Sequence, residues 1–153
     1  MENKQNFYDL SFNDLKTFLI KKVGIDNKKV KMRAQQIFSA VYKKGLKNFN
    51  DLTTVTNDLR KNLDNVLTLE LPKIIKTEIA DDKTIKWLLE LNDENKNLIE
   101  VVLITSKSHN TICVSVQVGC AMSKNSACIH CATGTQLLVK NLSASEIVMQ
   151  IMI

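Results

Sequence analysis

The chain has 153 residues, of which 44% are hydrophobic and 24% are charged, so it can bury the core of one ordinary domain or of two small ones. No apolar segment typical of a secretory signal follows the polar amino terminus, and the strongest apolar run, residues 99–104, is too short to cross a membrane. We therefore expect a cytoplasmic protein, not a membrane protein, whose four cysteines are reduced.

The formal net charge of +5 is concentrated in the first part of the chain. Residues 1–70 carry 13 basic and 8 acidic side chains, whereas residues 71–153 carry 8 of each. Within residues 16–47, ten lysine and arginine residues face the single acid Asp26. This density favours a polyanionic partner through counterion release, and a solvated lysine-rich helical face explains it nearly as well.

The first seventy residues have the periodicity of short helices, with apolar residues recurring every three or four positions. Serine, threonine or asparagine stands before these stripes as a potential N-cap, and glycine ends two of them. Pro72, the only proline, marks a boundary after them. The three predicted helices run from Ser11 to Gly24, from about Val30 to Gly45, and from Thr56 or Asn57 to about Leu69.

After Pro72 the period changes to the alternation that is typical of β-strands. Residues 111–118 are strongly β-branched and form one of the predicted strands, which Gly119 ends. The cysteine-rich segment follows directly, and Ser143 then caps a helix. The four predicted strands are residues 74–80, 84–91, 98–105 and 111–118, and the first three form a meander.

A strand that leads through a ligand-bearing loop into a helix is the opening unit of an α/β barrel or sheet, in which sites form at the carboxyl ends of strands. We therefore predict an α/β fold in three parts. Residues 1–70 form a small basic helical domain, residues 71–110 a β-meander extension, and residues 111–153 the start of an incomplete barrel.

Three of the four cysteines, Cys120, Cys128 and Cys131, lie within twelve residues of one another. The two-residue interval between Cys128 and Cys131 allows one loop to place two thiolates on one metal centre. Three thiolates leave a fourth position open, which suits an iron–sulfur cluster or a catalytic metal. A zinc site completed by His130 or His109 is a second interpretation, and unligated thiols or a disulfide are a third.

The sequence resembles the RlmN/Cfr family of radical S-adenosylmethionine RNA methyltransferases. The specific part of this resemblance lies in TICVSVQVGCAM at 111–122, CIHCATGTQ at 128–136 and NLSASEIV at 141–148. Residues 33–37, 86–89 and 99–104 follow the family in order. Seven residues separate Cys120 from Cys128, where the family has three.

The resemblance implies a fold, cofactors and residue roles. Residues 111–153 would begin a radical S-adenosylmethionine partial barrel. Cys120, Cys128 and Cys131 would hold a [4Fe–4S] cluster whose open iron binds S-adenosyl-L-methionine and cleaves it to a radical. Glu100 matches the family's proton acceptor, and Cys113 matches the cysteine that resolves a protein–RNA adduct through a transient disulfide.

The resemblance also implies partners: large-subunit ribosomal RNA, transfer RNA in many members, and an electron-donor protein. The methyl-carrying cysteine and the later S-adenosylmethionine-binding strands have no counterpart in this sequence. We therefore expect these 153 residues to be inactive alone, as a truncated half that a separate chain could complete. The alternative is a non-catalytic RNA- or zinc-binding module.

Overall fold

The computed structural model describes residues 4–124 and 132–153. They form a mixed α/β fold, as predicted, in two compact units that meet in sequence between Glu70 and Leu71. Among the described residues, no helix combines the length and the apolarity that crossing a membrane requires.

The described part of the first unit contains three α-helices, two short 3-10 helices (Phe7–Asp9 and Phe49–Asp51) and a pair of two-residue parallel strands. Its elements are β1 (Gln5–Asn6), α1 (Phe12–Val23), α2 (Asn27–Lys44), α3 (Asn57–Val66) and β2 (Leu67–Thr68). Leu15 and Leu19 of α1, Ile37 and Val41 of α2, and Leu63 of α3 are fully buried. The predicted apolar stripes therefore form the core of this unit.

The ends of these helices follow from local chemistry. The Ser11 side chain accepts from the backbone N–H of Asp14, and Gly24 ends α1 with a φ of 76°. The second helix begins earlier than predicted because Asp26 caps it through the N–H of Lys28, which makes its polar first turn helical. The third helix ends three residues earlier than predicted, since Leu67 enters β2.

The second unit is an antiparallel sheet followed by a short ribbon and a helix. The sheet has the order β3 (Lys73–Ile79), β4 (Ile85–Glu90), β5 (Leu98–Thr105) and β6 (Asn110–Cys113). The ribbon pairs β7 (Gln117–Val118) with β8 (Lys140–Asn141), and α4 (Ala144–Met149) follows. The core contains Leu89, Leu91, Ile99, Val101, Val118 and Leu142.

The prediction of one continuous strand over residues 111–118 is wrong. The first half of this segment is β6, the fourth strand of the sheet, and the second half begins the separate ribbon at β7. The cause lies between them at Ser115, whose N–H and C=O bond to the side chain of Gln150 in place of a strand neighbour. Hydrogen bonding from a distant side chain therefore overrides the β propensity of this segment.

Candidate active site

The strand register brings Glu100 and Cys113 to the same face of the sheet. Val102 of β5 lies opposite Cys113 of β6 and opposite Lys86 of β4. Glu100 is two residues from Val102, so its side chain leaves the sheet on that same face. Diagonal neighbours of this kind are about 7–8 Å apart, within reach of a common substrate. Cys113 is exposed.

A chain of ion pairs crosses this face and ends at Glu100. The Lys86 Nζ atom lies 2.9 Å from Glu78 Oε2 and 3.2 Å from Glu100 Oε1. Lys76 Nζ lies 2.6 Å from the other oxygen of Glu78. Hydrogen bonds from Lys76 and Lys86 lower the pKa of Glu78 to about 2, and the two carboxylates raise the pKa of Lys86. The Glu100 side chain is 55% exposed, so a ligand can reach it.

Glu100 also lines an open cavity of about 350 Å³ that extends to the beginning of the cysteine-rich loop. The sheet contributes Leu88, Leu98 and Glu100 to its wall, and the following segment contributes Ser115 and Gly119. Because Gly119 directly precedes Cys120, the cavity reaches from Glu100 to the residue before the first cysteine of the trio. Part of its polar lining comes from Thr133 and Gln136, beyond the loop.

Backbone contacts fix Cys120 at the end of β7. Its N–H donates to the carbonyl oxygen of Gln136 at 3.1 Å, and Cys120 forms an isolated parallel bridge with Leu137. Gly119 has a φ of 74°, and a Cβ atom there would lie 2.0 Å from the Leu137 carbonyl oxygen. Only glycine fits this close approach. These contacts with Gln136 and Leu137 therefore fix the backbone position of Cys120.

The other two predicted cluster ligands, Cys128 and Cys131, lie outside the described residues, as does His130. Within the described ranges, no three histidine, cysteine, aspartate or glutamate side chains are grouped as a metal site. His109, the other histidine considered for zinc, lies on the exposed turn before β6, where Nδ1 is 2.9 Å from Ser108 Oγ. That turn is at the opposite end of β6 from Cys113. Cys113 and Cys120 are both thiols and form no disulfide.

The donor chemistry fits an iron–sulfur cluster. Three cysteines in one short segment supply the soft thiolates that such clusters require, and the residue preceding the first of them lines an open cavity. The half-buried position of Cys120 suits a ligand to a cluster that a cosubstrate must reach.

A second polar centre, which the sequence did not reveal, joins the β4–β5 turn to the ribbon and to α4. Lys140 Nζ lies 3.0 Å from Asp93 Oδ2 and 2.7 Å from Glu146 Oε1. Burial opposes the ionisation of Asp93, but hydrogen bonds from Asn97 and Lys140 outweigh it and lower the pKa of Asp93 to about 2. Burial likewise opposes the charge on Lys140, while Glu146 and Asp93 raise its pKa.

This centre predicts an acid-sensitive second unit. The Asp93 carboxylate is 19% exposed and its pKa lies below the ordinary 3.8, so its contribution is complete above pH 4 and is lost as the pH falls toward 2. We expect a loss of about 2 kcal/mol in the free energy of unfolding across that interval. Urea unfolding followed by the fluorescence of Trp87, the only tryptophan, measures it.

Asp93→Asn should reduce that pH dependence, and Glu78→Gln is the matched control. Glu78 also has a pKa of about 2, but its carboxylate is on the exposed face of the sheet, where solvent screens its ion pairs. Glu78→Gln should therefore leave most of the pH dependence in place. Equal pH dependence in Asp93→Asn and the unaltered protein would contradict the assignment.

The first unit presents the basic residues that the sequence analysis identified. Lys28, Lys29 and Lys31 on the first turns of α2 and Lys43 and Lys44 on its last turn are exposed. They are compatible with both interpretations of the charge, a polyanion-binding surface and a solvated helical face.

Comparison with known proteins identifies relatives of both units. Residues 5–69 match the family model described as "Ribosomal RNA large subunit methyltransferase N-terminal domain". The dual-specificity RNA methyltransferase RlmN of Nitrobacter winogradskyi is 40% identical over 135 residues, which are 86% of this chain and 33% of that protein. RlmN of Bradyrhizobium diazoefficiens is 38% identical over 154 residues, which are 98% of this chain and 37% of that protein.

A solved structure agrees with these relatives. The crystal structure of a radical SAM methyltransferase from Sphaerobacter thermophilus matches 97% of this chain and 40% of that chain, with a TM-score of 0.79 and 33% identity. The chain spans about a third of the length of the curated relatives that it matches.

Proposed function

The chain belongs to the RlmN family of RNA methyltransferases over the part of those proteins that it spans, and from this premise we propose that it carries the cluster-binding and proton-accepting part of an enzyme that methylates C2 of adenine in RNA. The observation that carries the proposal is that one cavity is lined both by Glu100 and by Gly119, the residue preceding Cys120. Glu100 lies on the sheet face that also holds Cys113. Residues 111–153 would be the start of a radical S-adenosylmethionine partial barrel.

In this proposal Cys120, Cys128 and Cys131 hold a [4Fe–4S] cluster. When bound, the cluster supplies the electron that converts S-adenosyl-L-methionine into a radical. Cys120 is half-buried, and the cavity that Gly119 lines beside it is where the cosubstrate and the adenine would meet.

Glu100 and Cys113 would then act on the adenine. The Glu100 carboxylate accepts the proton that C2 loses, and Lys86, whose Nζ lies 3.2 Å from one of its oxygens, orients the carboxylate. The Cys113 thiolate attacks the sulfur of the methyl-carrying cysteine, so that an S–S bond forms as the S–C bond breaks. The electron pair of the S–C bond passes to the transferred carbon, which takes up a proton to complete the methyl group. The sequence holds no fifth cysteine, so the carrier would come from outside these 153 residues.

The first unit would bind the RNA. Residues 1–70 carry the excess of positive charge, and ribosomal or transfer RNA is the polyanion that the family relationship favours. An electron donor protein in a reducing compartment such as the cytoplasm completes the system, and the remaining barrel strands could be supplied by a separate chain. The protein alone would then take up a cluster and bind RNA without methylating it.

Anaerobic reconstitution with iron and sulfide tests the cluster. We expect about four iron ions and four sulfide ions per chain, and broad absorption at about 400 nm. Cys120→Ser should lose most of this iron because it removes a ligand. Cys113→Ser is the matched control, since this exposed thiol lies on the sheet, and it should load like the unaltered protein.

Zinc retained at about one ion per chain, with no uptake of iron and sulfide, would instead support the non-catalytic zinc- and RNA-binding module. Equal iron in Cys120→Ser and Cys113→Ser would contradict the assigned ligands.

A further inference from the structure

The buried side chain of Gln150 bonds to the backbone of Ser115, in the segment between β6 and β7. The N–H of Ser115 donates to Gln150 Oε1 at 2.8 Å, and Gln150 Nε2 donates to the carbonyl oxygen of Ser115 at 2.9 Å. The same Nε2 donates to the carbonyl oxygen of Glu146 at 3.0 Å. Gln150 is only 1% exposed, so these bonds are shielded from water. Its amide therefore satisfies both backbone groups that a neighbouring strand would otherwise satisfy.

Ser115 is also bonded to the strand that carries Glu100. Its Oγ donates to the backbone carbonyl oxygen of Glu100 at 2.8 Å. Ser115 thus connects α4, through its backbone, with β5, through its side chain. In sequence it lies two residues after Cys113 and five before Cys120.

This connection is at the point where the chain leaves the sheet for the ribbon. The ribbon strand β7 has only two residues, and besides its pairing with β8 a backbone bond from the Leu142 N–H to the Val116 carbonyl oxygen, at 2.9 Å, joins the crossing to the ribbon. With so short a ribbon, the bonds of Ser115 are a substantial part of what fixes the crossing to the sheet. A displacement at Ser115 would move Cys120 relative to the sheet face that holds Glu100 and Cys113.

We propose that Gln150 and Ser115 are positioning residues that fix the separation between Cys120 on one side and Glu100 and Cys113 on the other. The importance of this separation rests on the proposed function, whereas the clamp itself does not. Neither side chain is required to touch the substrate; both act through the backbone that they hold.

Hydrogen exchange of the Ser115 amide, measured by NMR on the chain without cluster, tests the clamp. Gln150→Leu should lower the protection factor of this amide by roughly tenfold, because the N–H loses its buried acceptor. Ser145→Ala is the matched control, since it removes another buried hydrogen bond of α4, to Ser143, without contacting Ser115.

Gln150→Glu distinguishes the clamp from simple packing. A protonated carboxyl can accept from the Ser115 N–H and donate to its carbonyl. A buried carboxylate can only accept, and it is repelled by the carbonyl oxygens of Ser115 and Glu146 that Gln150 now donates to, which opens the clamp. Protection in this variant should therefore return as the pH falls. The titratable residues whose backbone is bonded to the clamp, Glu100 on β5 and Glu146 on α4, and Cys113, two residues before Ser115, are present in every variant. Comparison with the unaltered protein at each pH therefore removes their contribution. Protection that does not change with pH would overturn the clamp.

A trifluoromethyl label on Cys113, followed by fluorine NMR, tests the separation itself. In the reconstituted, reduced protein, the paramagnetic cluster should relax this label strongly and uniformly. Gln150→Leu should weaken the effect and make it heterogeneous at equal iron content. Ser115→Ala removes only the bond to Glu100, so it should alter the relaxation while the amide at position 115 stays protected. Ser115→Ala therefore also tests the positioning role if Gln150→Leu does not fold.

Unchanged relaxation in Ser115→Ala and in every folded Gln150 variant would overturn the positioning role. If the unaltered protein takes up no cluster, the proposed function fails together with the role of the separation, while the exchange data still decide whether Gln150 clamps Ser115.

Discussion

Gly119→Ala should abolish iron and sulfide uptake and destabilise the second unit by roughly 3 kcal/mol or more, because steric overlap adds to backbone strain. The new Cβ would lie 2.0 Å from the Leu137 carbonyl oxygen and 2.8 Å from its carbon, and neither backbone atom can move without opening the ribbon. Opening it breaks the bond from the Cys120 N–H to Gln136. Iron content and urea unfolding followed by Trp87 fluorescence measure the two effects.

Gly45→Ala is the matched control for this substitution. Gly45 also has a positive φ, 63°, but nothing lies within 4 Å of the position that its Cβ would take. It should cost only about 1–2 kcal/mol, from the left-handed conformation, and leave cluster uptake unchanged. Normal iron content in Gly119→Ala would show that the close approach to Leu137 does not position Cys120.

The helix ends could be predicted from the sequence because short-range contacts determine them. Ser11 and Ser143 each accept from an N–H three residues further along the chain, and Gly24 and Gly45 each adopt a left-handed conformation that favours glycine. Three strands, those of the meander, were placed for a similar reason, since alternation follows from one-sided burial.

The features that the sequence did not reveal depend on contacts between distant residues. Gln150 interrupts the predicted strand from 35 positions away. It was nevertheless a detectable signal, as a lone amide in the apolar segment at residues 147–153. The Lys86 ion pairs depend on strand register, which periodicity alone leaves open. Glu100 and Cys113 were selected by family resemblance, and only the register places them on one face.

Glu100→Gln should lower RNA methylation by roughly 10²–10⁴-fold, the usual contribution of a positioned base, while cluster uptake stays normal. The amide keeps the size of the side chain but cannot accept the proton from C2. The assay needs the rest of an enzyme, so a fusion in which this chain replaces the matching third of Nitrobacter winogradskyi RlmN is suitable. Mass spectrometry of C2-methyladenosine in digested ribosomal and transfer RNA measures the product.

Lysine variants separate the role of the Glu100 carboxylate from the general charge of the sheet face. Lys86→Met removes the cation that lies 3.2 Å from Glu100, whereas Lys76→Met removes an equal charge whose ion pair, among the residues that the structure describes, is with Glu78. We expect Lys86→Met to slow methylation more than Lys76→Met, because only Lys86 orients the carboxylate. Equal rates in the two lysine variants would remove Lys86 from the mechanism. Full methylation by Glu100→Gln would show that another group accepts the proton, since glutamine cannot act as a base at neutral pH.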